Sequence, residues 1–221
     1  MKLALFDLDH TLIPFDSGMA WTRFLVRAGA LEPDAEARYL EYCRQYVAGT
    51  LDIHAMHYAN MAPLAAFKPE QVRSWQAEFA AEIGSALPSS ALRRVASHLE
   101  RGDLCALVTA TSRLVAEPFA RAFGFEHLLA TQAVLVNGRP SGAVEGLPCY
   151  AEHKLAHVQA WLVQRAAPPR ELAQFEASWF YSDSASDLPL LAAVSHPIAV
   201  RPDERLRAHA AAAGWPIIES I

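Results

Sequence analysis

Short apolar runs alternate with longer amphipathic segments over much of this chain. Residues 3–6 predict a buried strand, because the run is too short and ends too abruptly for a helix. Similar runs at 104–110 and 177–182 predict two further strands. Weaker strand patterns, HPIAV and WPIIES, follow near the C-terminus.

The segments between the later strands have helical patterns. Their apolar spacing, with glycines after two of them, predicts helices near 90–101, 114–123, 154–166 and 203–213. Strands that alternate with helices in this way are typical of right-handed βαβ units on a parallel sheet. We therefore predict an α/β fold built on a doubly wound, Rossmann-like parallel sheet.

Two regions depart from this alternation. Residues 131–144 predict a β-hairpin, since apolar and polar residues alternate around an Asn-Gly pair. Between about residues 19 and 86 the apolar positions recur at helical spacing, which predicts three or four helices inserted between the first two long strands. The predicted domains are a core of residues 1–15 and 87–221 and an inserted helical domain of residues 16–86.

Composition and charge narrow the class of protein. The 221 residues are 52% hydrophobic, which is enough for one packed core and a small second lobe. The net charge is −5 with no basic cluster, so we expect no nucleic-acid partner. No apolar stretch reaches membrane-helix length, Asp7 ends the first apolar run, and the three cysteines are far apart. We expect a soluble, cytoplasmic protein without a membrane partner. We make no prediction of its oligomeric state.

Polar residues follow the predicted strands where each one ends. Asp7 and Asp9 follow the first strand, Thr109 ends the second, and Asp183 and Asp187 follow the strand at 177–182. Ligands of doubly wound sheets bind at the carboxyl ends of the strands, so these residues are expected to converge on one crevice. Several acids at one edge need a cation, and Mg²⁺ prefers such hard oxygen ligands.

These residue types suit phosphoryl transfer. A carboxylate beside bound Mg²⁺ can attack phosphorus and form an aspartyl-phosphate. A second carboxylate suits a general acid if the chain bends after the strand. The hydroxyl of Thr109 and the ammonium of Lys154 suit the peripheral phosphoryl oxygens, with Thr111 and Ser112 as alternative hydroxyls.

Four motifs in order resemble those of the haloacid dehalogenase (HAD) superfamily. They are Asp7-x-Asp9-x-Thr11, Thr109 at a strand end, Lys154 at a helix start, and YSDSASD with Asp183 and Asp187. The resemblance spans nearly the whole chain and is greatest to the subgroup of phosphoserine phosphatase, in which a helical cap follows the first motif. It implies a Mg²⁺-dependent phosphomonoester hydrolase that acts on a small phosphorylated metabolite.

The resemblance also implies a role for each motif residue. Asp7 would be the nucleophile and a metal ligand, and Asp9 the general acid–base, with its backbone carbonyl on the metal. An acid at the position of Asp9 favours a phosphatase or phosphomutase over a dehalogenase. Thr109 would hold phosphoryl oxygens, and Lys154 would balance the charge of the aspartyl-phosphate.

The implied metal site comprises four acids, Asp7, Asp9, Asp183 and Asp187. Within this set Asp183 would be a direct ligand. Asp187 would support the site either through a metal-bound water or by orienting Lys154.

Substrate choice is expected to depend on the helical cap. Asp16 matches an acid that meets the substrate ammonium in phosphoserine phosphatases, although it also suits a helix cap. The arginine that those enzymes use for the serine carboxylate has no counterpart after the GTLD segment. An amino-alcohol phosphate such as histidinol phosphate is therefore predicted. Five residues either line the pocket or pack inside the bundle: Trp21, Tyr42, Tyr46, His57 and Tyr58.

Other functions remain open from the sequence. Within the superfamily these are phosphoserine phosphatase, lipid-phosphate phosphatase and phosphotransferase. A receiver-like phospho-acceptor module also uses acids, Mg²⁺, a hydroxyl and a lysine on a doubly wound sheet. Receivers are about half this length, however, with an acceptor after an internal strand and no inserted helices.

Overall fold

A computed structural model describes all residues, 1–221. The strands are β1 Leu3–Phe6, β2 Leu104–Ser112, β3 His127–Thr131, β4 Ala133–Val136, β5 Arg139–Val144, β6 Ser178–Ser182, β7 His196–Val200 and β8 Ile217–Ile218. The α-helices are α1 Ser17–Arg27, α2 Ala35–Ala48, α3 Ile53–Met61, α4 Pro69–Gly84, α5 Ser89–Glu100, α6 Arg113–Phe123, α7 Glu152–Gln164, α8 Leu188–Leu191 and α9 Glu204–Ala213. Short 3₁₀ helices span Ala62–Ala66, Leu172–Gln174 and Ala185–Asp187.

Six parallel strands form the central sheet, in the order β3-β2-β1-β6-β7-β8. The first strand lies in the interior of the sheet, and all four of its residues are buried. Its last residue, Phe6, pairs with Leu107 of β2 and Tyr181 of β6, so β1 and β6 end side by side. Strand β2 continues to Ser112, so Thr109, predicted to end this strand, lies inside it. The predicted α/β, doubly wound fold is confirmed.

The two faces of the sheet build two apolar clusters, because successive side chains of a strand point to opposite faces. Ala4 and Phe6 join the cluster that includes α5, α6 and the helices inserted after β1. Leu3 and Leu5 join the cluster on the other face, with α7, α8 and α9. The first strand is therefore continuously apolar because both of its faces are covered.

Five α-helices lie between β1 and β2 in the chain. The first four, α1 to α4, occupy the stretch where helical periodicity predicted three or four helices, and α5 is the helix predicted near 90–101. Aromatic side chains pack them together. The ring of Trp21 stacks on Phe24 with 5.4 Å between centroids and meets the edge of Phe79 at 5.1 Å. Phe79 also contacts Phe119 of α6, so the inserted helices and the sheet layer share one core. The domain limits given above stay a prediction.

The predicted hairpin is present as the antiparallel pair β4–β5. Asn137 and Gly138 have φ values of 53° and 76°, the left-handed conformation that a two-residue hairpin turn favours. Gly142 of the hairpin, with φ of 88°, packs so closely on the inserted helices that an added Cβ would lie 2.8 Å from Ala62 and from Tyr58. The hairpin therefore supports the helix that carries Tyr58.

One strand was missed from the sequence. Residues of β3 pair with β2 at the edge of the sheet, whereas the hairpin had been predicted to begin at Thr131, the last residue of β3. This edge strand is short and only partly buried, so its pattern is weak. None of the helices combines the length and apolar composition that crossing a membrane requires.

Candidate active site

The segment after β1 bends back on itself. The carbonyl of Leu8 accepts hydrogen bonds from the amides of Thr11, Leu12 and Ile13 at 3.3, 2.9 and 3.2 Å. Arg201, which directly follows β7, stabilises the bend. Its Nη2 donates to the carbonyls of His10 and Thr11 at 2.6 and 2.9 Å. The chain therefore bends after the first strand, which is the condition for Asp9 to serve as a general acid.

Lys154 lies between two carboxylates. Its Nζ donates to Oδ1 of Asp7 and to Oδ2 of Asp187, both at 2.8 Å, and all three side chains are buried. Burial by itself lowers the pKa of Lys154, but Asp187 and Asp7 together raise that pKa well above its ordinary value. The lysine is therefore a fixed cation, and Asp187 orients it.

Asp187 is further fixed by the strand beneath it. The hydroxyl of Ser182 donates to the same Oδ2 at 2.7 Å, while Oδ1 is buried without a hydrogen-bond partner. These contacts favour the orienting alternative for Asp187 over a metal-bound water. Its placement in the metal site stays a prediction.

Asp183 carries negative charge that the protein balances poorly. The hydroxyl of Thr11 donates to its Oδ1 at 3.0 Å. Burial, with Asp7 and Asp187 nearby, raises the pKa of Asp183 well above its ordinary value. One lysine thus faces three carboxyl groups, and a cation would relieve the repulsion between them.

No three His, Cys, Asp or Glu side chains are arranged to hold a metal ion. The carboxylate of Asp9 bonds to Ser17 and Thr111, so the backbone carbonyl of Asp9 is its predicted metal donor. The carboxylates of Asp7 and Asp183 bond to Lys154 and Thr11 through Oδ1. The four-acid metal site stays a prediction, with Asp7 and Asp183 as its direct carboxylate donors. Such a hard oxygen set fits Mg²⁺, which takes one or two carboxylates and keeps several waters.

Asp9 is held beside Asp7 by two short hydrogen bonds. Its Oδ1 accepts from the amide of Ser17, and its Oδ2 accepts from the hydroxyl of Thr111, both at 2.6 Å. Burial and the charge of Asp16 raise the pKa of Asp9 to about 6 despite these bonds. A carboxyl group that titrates near neutral pH suits proton transfer in both directions.

The three hydroxyl side chains near the end of β2 have different hydrogen-bond partners. Thr109 is buried and lines the cavity, and its Oγ1 accepts from the amide of Thr111 at 3.2 Å. Thr111 instead bonds to Asp9, a contact that sequence reasoning missed because it had treated Thr111 only as a substitute for Thr109. The hydroxyl of Ser112 is buried and has no partner.

A cavity of about 580 Å³ separates these residues from the inserted helices. The core wall includes Asp7, Asp9, Thr109, Lys154 and Asp183, and the helical wall includes Asp16, Trp21, Tyr42, Tyr46 and His57. The volume suits a small molecule. Tyr58, the fifth aromatic or histidine considered for the pocket, lies outside the lining and is 60% exposed.

Asp16 combines the two roles that the sequence left open. Its Oδ1 accepts from the amide of Met19 at 2.7 Å, which caps α1, and from the hydroxyl of Tyr39 at 2.9 Å. The same carboxylate lines the cavity. The cap therefore fixes the position of an acid at the cavity wall.

Tyr46 of α2 joins the two walls. Its hydroxyl donates to Oγ of Ser184 at 2.7 Å and lies 3.1 Å from Oγ of Ser186. Both serines belong to the segment that carries Asp183 and Asp187. The sequence left open whether Tyr46 lines the pocket or packs inside the bundle, and it did not predict this contact.

The matched family now decides the class. The family model of haloacid dehalogenase-like hydrolases matches residues 4–192. This chain belongs to the HAD-like hydrolase family. This HAD-like hydrolase is a phosphatase, and phosphatases of the superfamily generally use Mg²⁺. The receiver-like alternative is thereby set aside.

Three similar proteins align with nearly the whole length of the HAD-like hydrolase. A histidinol-phosphatase of Neisseria meningitidis serogroup C is 36% identical over 222 residues, 98% of each chain. A crystal structure of a Bordetella pertussis Tohama I protein of unknown function is 43% identical, with a TM-score of 0.89 and coverage of 99% and 98%. A phospho-aspartyl intermediate analogue of phosphoserine phosphatase is 16% identical, with a TM-score of 0.66 and coverage of 99% and 93%. That last likeness shows the fold alone.

Proposed function

We propose that this HAD-like hydrolase is a Mg²⁺-dependent phosphomonoesterase that acts on an amino-alcohol phosphate, with histidinol phosphate as the first choice, through an aspartyl-phosphate. The observation that carries the proposal is the pairing of two unlike acids on one loop. Asp7 is held by the Lys154 cation, whereas two residues later Asp9 has a pKa of about 6. Such a pair supplies a nucleophile and a proton donor.

The first step forms a bond between Asp7 and phosphorus. Lys154 bonds to Oδ1 of Asp7, so Oδ2 is the attacking atom. The bond between phosphorus and the alcohol oxygen breaks, and Asp9 gives that oxygen a proton. Thr109 donates to a phosphoryl oxygen, and Lys154 balances the charge of the aspartyl-phosphate.

The second step restores the enzyme. Water attacks phosphorus, Asp9 takes its proton, and the bond to Asp7 breaks, which releases inorganic phosphate. Asp7, Asp183 and the backbone carbonyl of Asp9 would hold Mg²⁺. The ion supplies positive charge for the phosphoryl oxygens, while Asp187 keeps Lys154 in place.

The two predicted domains divide the work in this proposal. The core of residues 1–15 and 87–221 performs the chemistry, and the cap of residues 16–86 selects the substrate. Asp16 would meet the ammonium group of the substrate. Arg205 is the only arginine in the cavity lining and comes from the core, so the cap has no arginine there for a substrate carboxylate. Because Arg205 is available to a substrate carboxylate, it is the likeness to the Neisseria histidinol-phosphatase that favours an amino alcohol over phosphoserine.

The test is phosphate release from a panel of phosphomonoesters with Mg²⁺ or with EDTA. The panel contains histidinol phosphate, phosphoserine, phosphoethanolamine, a sugar phosphate and p-nitrophenyl phosphate. We expect metal-dependent release, with the highest kcat/KM on histidinol phosphate. A preference for phosphoserine would overturn the substrate, and release that is equal with EDTA would overturn the metal dependence.

A further inference from the structure

The carboxylate of Asp9 is held at both oxygens by partners from two distant parts of the chain. The amide of Ser17 donates to Oδ1 and the hydroxyl of Thr111 donates to Oδ2, both at 2.6 Å. Ser17 is the first residue of α1, and the first amides of a helix have no partner within it. Two bonds to two oxygens fix both the position of the carboxyl group and its rotation.

An irregularity in the sheet positions Thr111. Where β2 pairs with β3, two residues of β2 between Thr109 and Ser112 have no counterpart on β3, and Thr111 is one of them. Such irregularities redirect side chains and are frequent next to active sites. The hydroxyl of Thr131 donates to the carbonyl of Ala110 at 2.8 Å and so anchors the irregular stretch. The end of β2 therefore holds Thr111 in one place.

The hydroxyl of Ser17 completes this arrangement. Its Oγ lies 3.1 Å from Oγ1 of Thr111. A hydroxyl has one hydrogen to donate, and Thr111 gives its own to Asp9, so Ser17 is the donor in this pair. The hydrogen bonds thus run from Ser17 through Thr111 to Asp9, and they direct the hydroxyl hydrogen of Thr111 at the carboxylate.

The orientation of Asp9 matters for proton transfer. Asp9 lines the cavity, and a general acid must come within hydrogen-bond reach of the oxygen that it protonates. Without the hydroxyl of Thr111, the carboxyl group would keep only its bond to the amide of Ser17 and would be free to rotate. A misaligned acid transfers its proton slowly even though the acid is still present.

We propose that Thr111 is a positioning residue for the proton transfer from Asp9 to the alcohol oxygen of the substrate. The proton passes from Asp9 to that oxygen as the bond between phosphorus and the oxygen breaks. Thr111 neither gains nor loses a proton and keeps the carboxyl group aligned. This inference rests on the proposed function, in which Asp9 is the general acid, and it gives Thr111 a role different from that of Thr109.

The experiment compares leaving groups. An alcohol leaves phosphorus poorly unless it is protonated, phenol leaves more easily, and p-nitrophenolate is a stable anion that needs little protonation. The substrates are therefore histidinol phosphate, phenyl phosphate and p-nitrophenyl phosphate, and the last two have similar shapes. The measured quantity is kcat/KM, which includes no step after the leaving group has departed, so hydrolysis of the aspartyl-phosphate does not enter it.

The variants separate the hydroxyl of Thr111 from its shape. Thr111→Val removes the hydroxyl and keeps the branched side chain, whereas Thr111→Ser keeps the hydroxyl. The matched control is Thr22→Val, at a buried threonine of α1 outside the cavity lining whose hydroxyl donates to the carbonyl of Gly18. Circular dichroism and Tm verify the fold of each protein.

We expect Thr111→Val to lose about tenfold in kcat/KM on histidinol phosphate, less on phenyl phosphate, and no more than about twofold on p-nitrophenyl phosphate. Thr111→Ser and Thr22→Val should resemble the wild type. Equal losses of Thr111→Val on all three substrates would mean that Thr111 only supports the fold, and no loss on any would mean that Asp9 is aligned without it. A serine variant as slow as the valine variant would mean that the hydroxyl is not what matters. Each of these results overturns the inference.

Asp9→Asn separates failure of this inference from failure of the proposed function. If Asp9→Asn depends on the leaving group and Thr111→Val does not, Asp9 is the acid and only the role of Thr111 is wrong. If Asp9→Asn loses equally on all three substrates, Asp9 is not the general acid, and the proposed mechanism fails together with the inference.

A double variant tests whether Thr111 acts through Asp9. The combined Asp9→Asn and Thr111→Val protein should be no slower on histidinol phosphate than Asp9→Asn alone, because the acid that Thr111 aligns is already absent. A further loss in the double variant would show that Thr111 acts independently of Asp9 and would overturn the positioning role.

Discussion

The two walls of the cavity are held together by different interactions. On the core side, Lys154, Asp9 and Thr11 make hydrogen bonds of 2.6 to 3.0 Å to or from other residues of the site. On the helical wall, aromatic packing dominates, as in the stacking of Trp21 on Phe24. The difference indicates that charges fix the core wall, whereas ring packing shapes the helical wall.

This difference separates reaction from selection. Phosphoryl transfer needs fixed charges, and the core wall supplies them whatever the alcohol is. In the proposed function, the choice of alcohol depends on the opposite wall, where Asp16 would meet the substrate ammonium. Substitutions of Asp7 and Lys154 on the core wall should therefore affect all substrates, and those on the helical wall only some.

The largest effect is expected from Asp7→Asn. The amide can still accept a hydrogen bond from Lys154 but cannot attack phosphorus, so kcat should fall by at least about 10³-fold on every substrate. Phosphate release by the purified variant measures this. Asp52→Asn, the same exchange at the exposed cap of α3, is the control, and activity retained by Asp7→Asn would refute the nucleophile.

Lys154→Met should destabilise the fold as well as stop turnover. Without the ammonium, the carboxylates of Asp7 and Asp187 lie buried and unpaired, which should cost about 3–5 kcal/mol in the free energy of unfolding. Urea denaturation near neutral pH measures the loss, with Lys68→Met at an exposed lysine as control. A loss no greater than that of the control would show that the ion pairs do not hold the site together.

On the helical wall, His57 should make stability depend on pH. Burial lowers its folded-state pKa to about 4, while the unfolded value is about 6.5, so the unfolded chain binds the extra proton. The contribution is therefore complete above the unfolded pKa and is lost as the pH falls from about 6.5 through about 4. Between about pH 7.5 and about pH 5 the loss should be about 2 kcal/mol.

Urea denaturation of the wild type and His57→Phe at the two pH values isolates this contribution. The variant should lose less stability on acidification than the wild type, because it has no imidazole at this position to protonate. Identical losses in the two proteins would mean that His57 titrates alike in the folded and unfolded states.

The smallest effect is expected from Asp16→Asn. Asparagine still caps a helix, so α1 should remain intact. The lost charge should raise KM about tenfold for phosphoethanolamine and for histidinol phosphate, with little change for p-nitrophenyl phosphate, which has no ammonium. Steady-state kinetics on the three substrates measures the difference, and equal changes on all three would remove Asp16 from the binding site.

The fold and the meeting of polar residues at one sheet edge were predictable from local patterns. Continuous apolar runs indicated the buried strands, and the polar residues at their ends, such as Asp7 and Asp183, then had to meet at one edge. The edge strand β3 was missed, because it is short and only partly buried, so its apolar pattern is too weak to distinguish it from a loop.

The details of the site were less accessible, because they depend on packing between distant segments. The bond from Thr111 to Asp9 spans 102 positions, and the bond from Tyr46 to Ser184 spans 138. Spacing within one segment reveals neither. The unpaired state of Trp21 and His57 is likewise a property of the assembled cavity, since both residues have the spacing of ordinary bundle positions.

The hydroxyl of Tyr46 ties a helix of the cap to the acidic segment of Asp183 and Asp187. Access to the cavity and the rigidity of that segment are therefore thermodynamically linked. A movement of α2 away from the core would break this bond and release Ser184, so the bond opposes such a movement. By reciprocity, whatever orders the acidic segment should also hold α2 against the core.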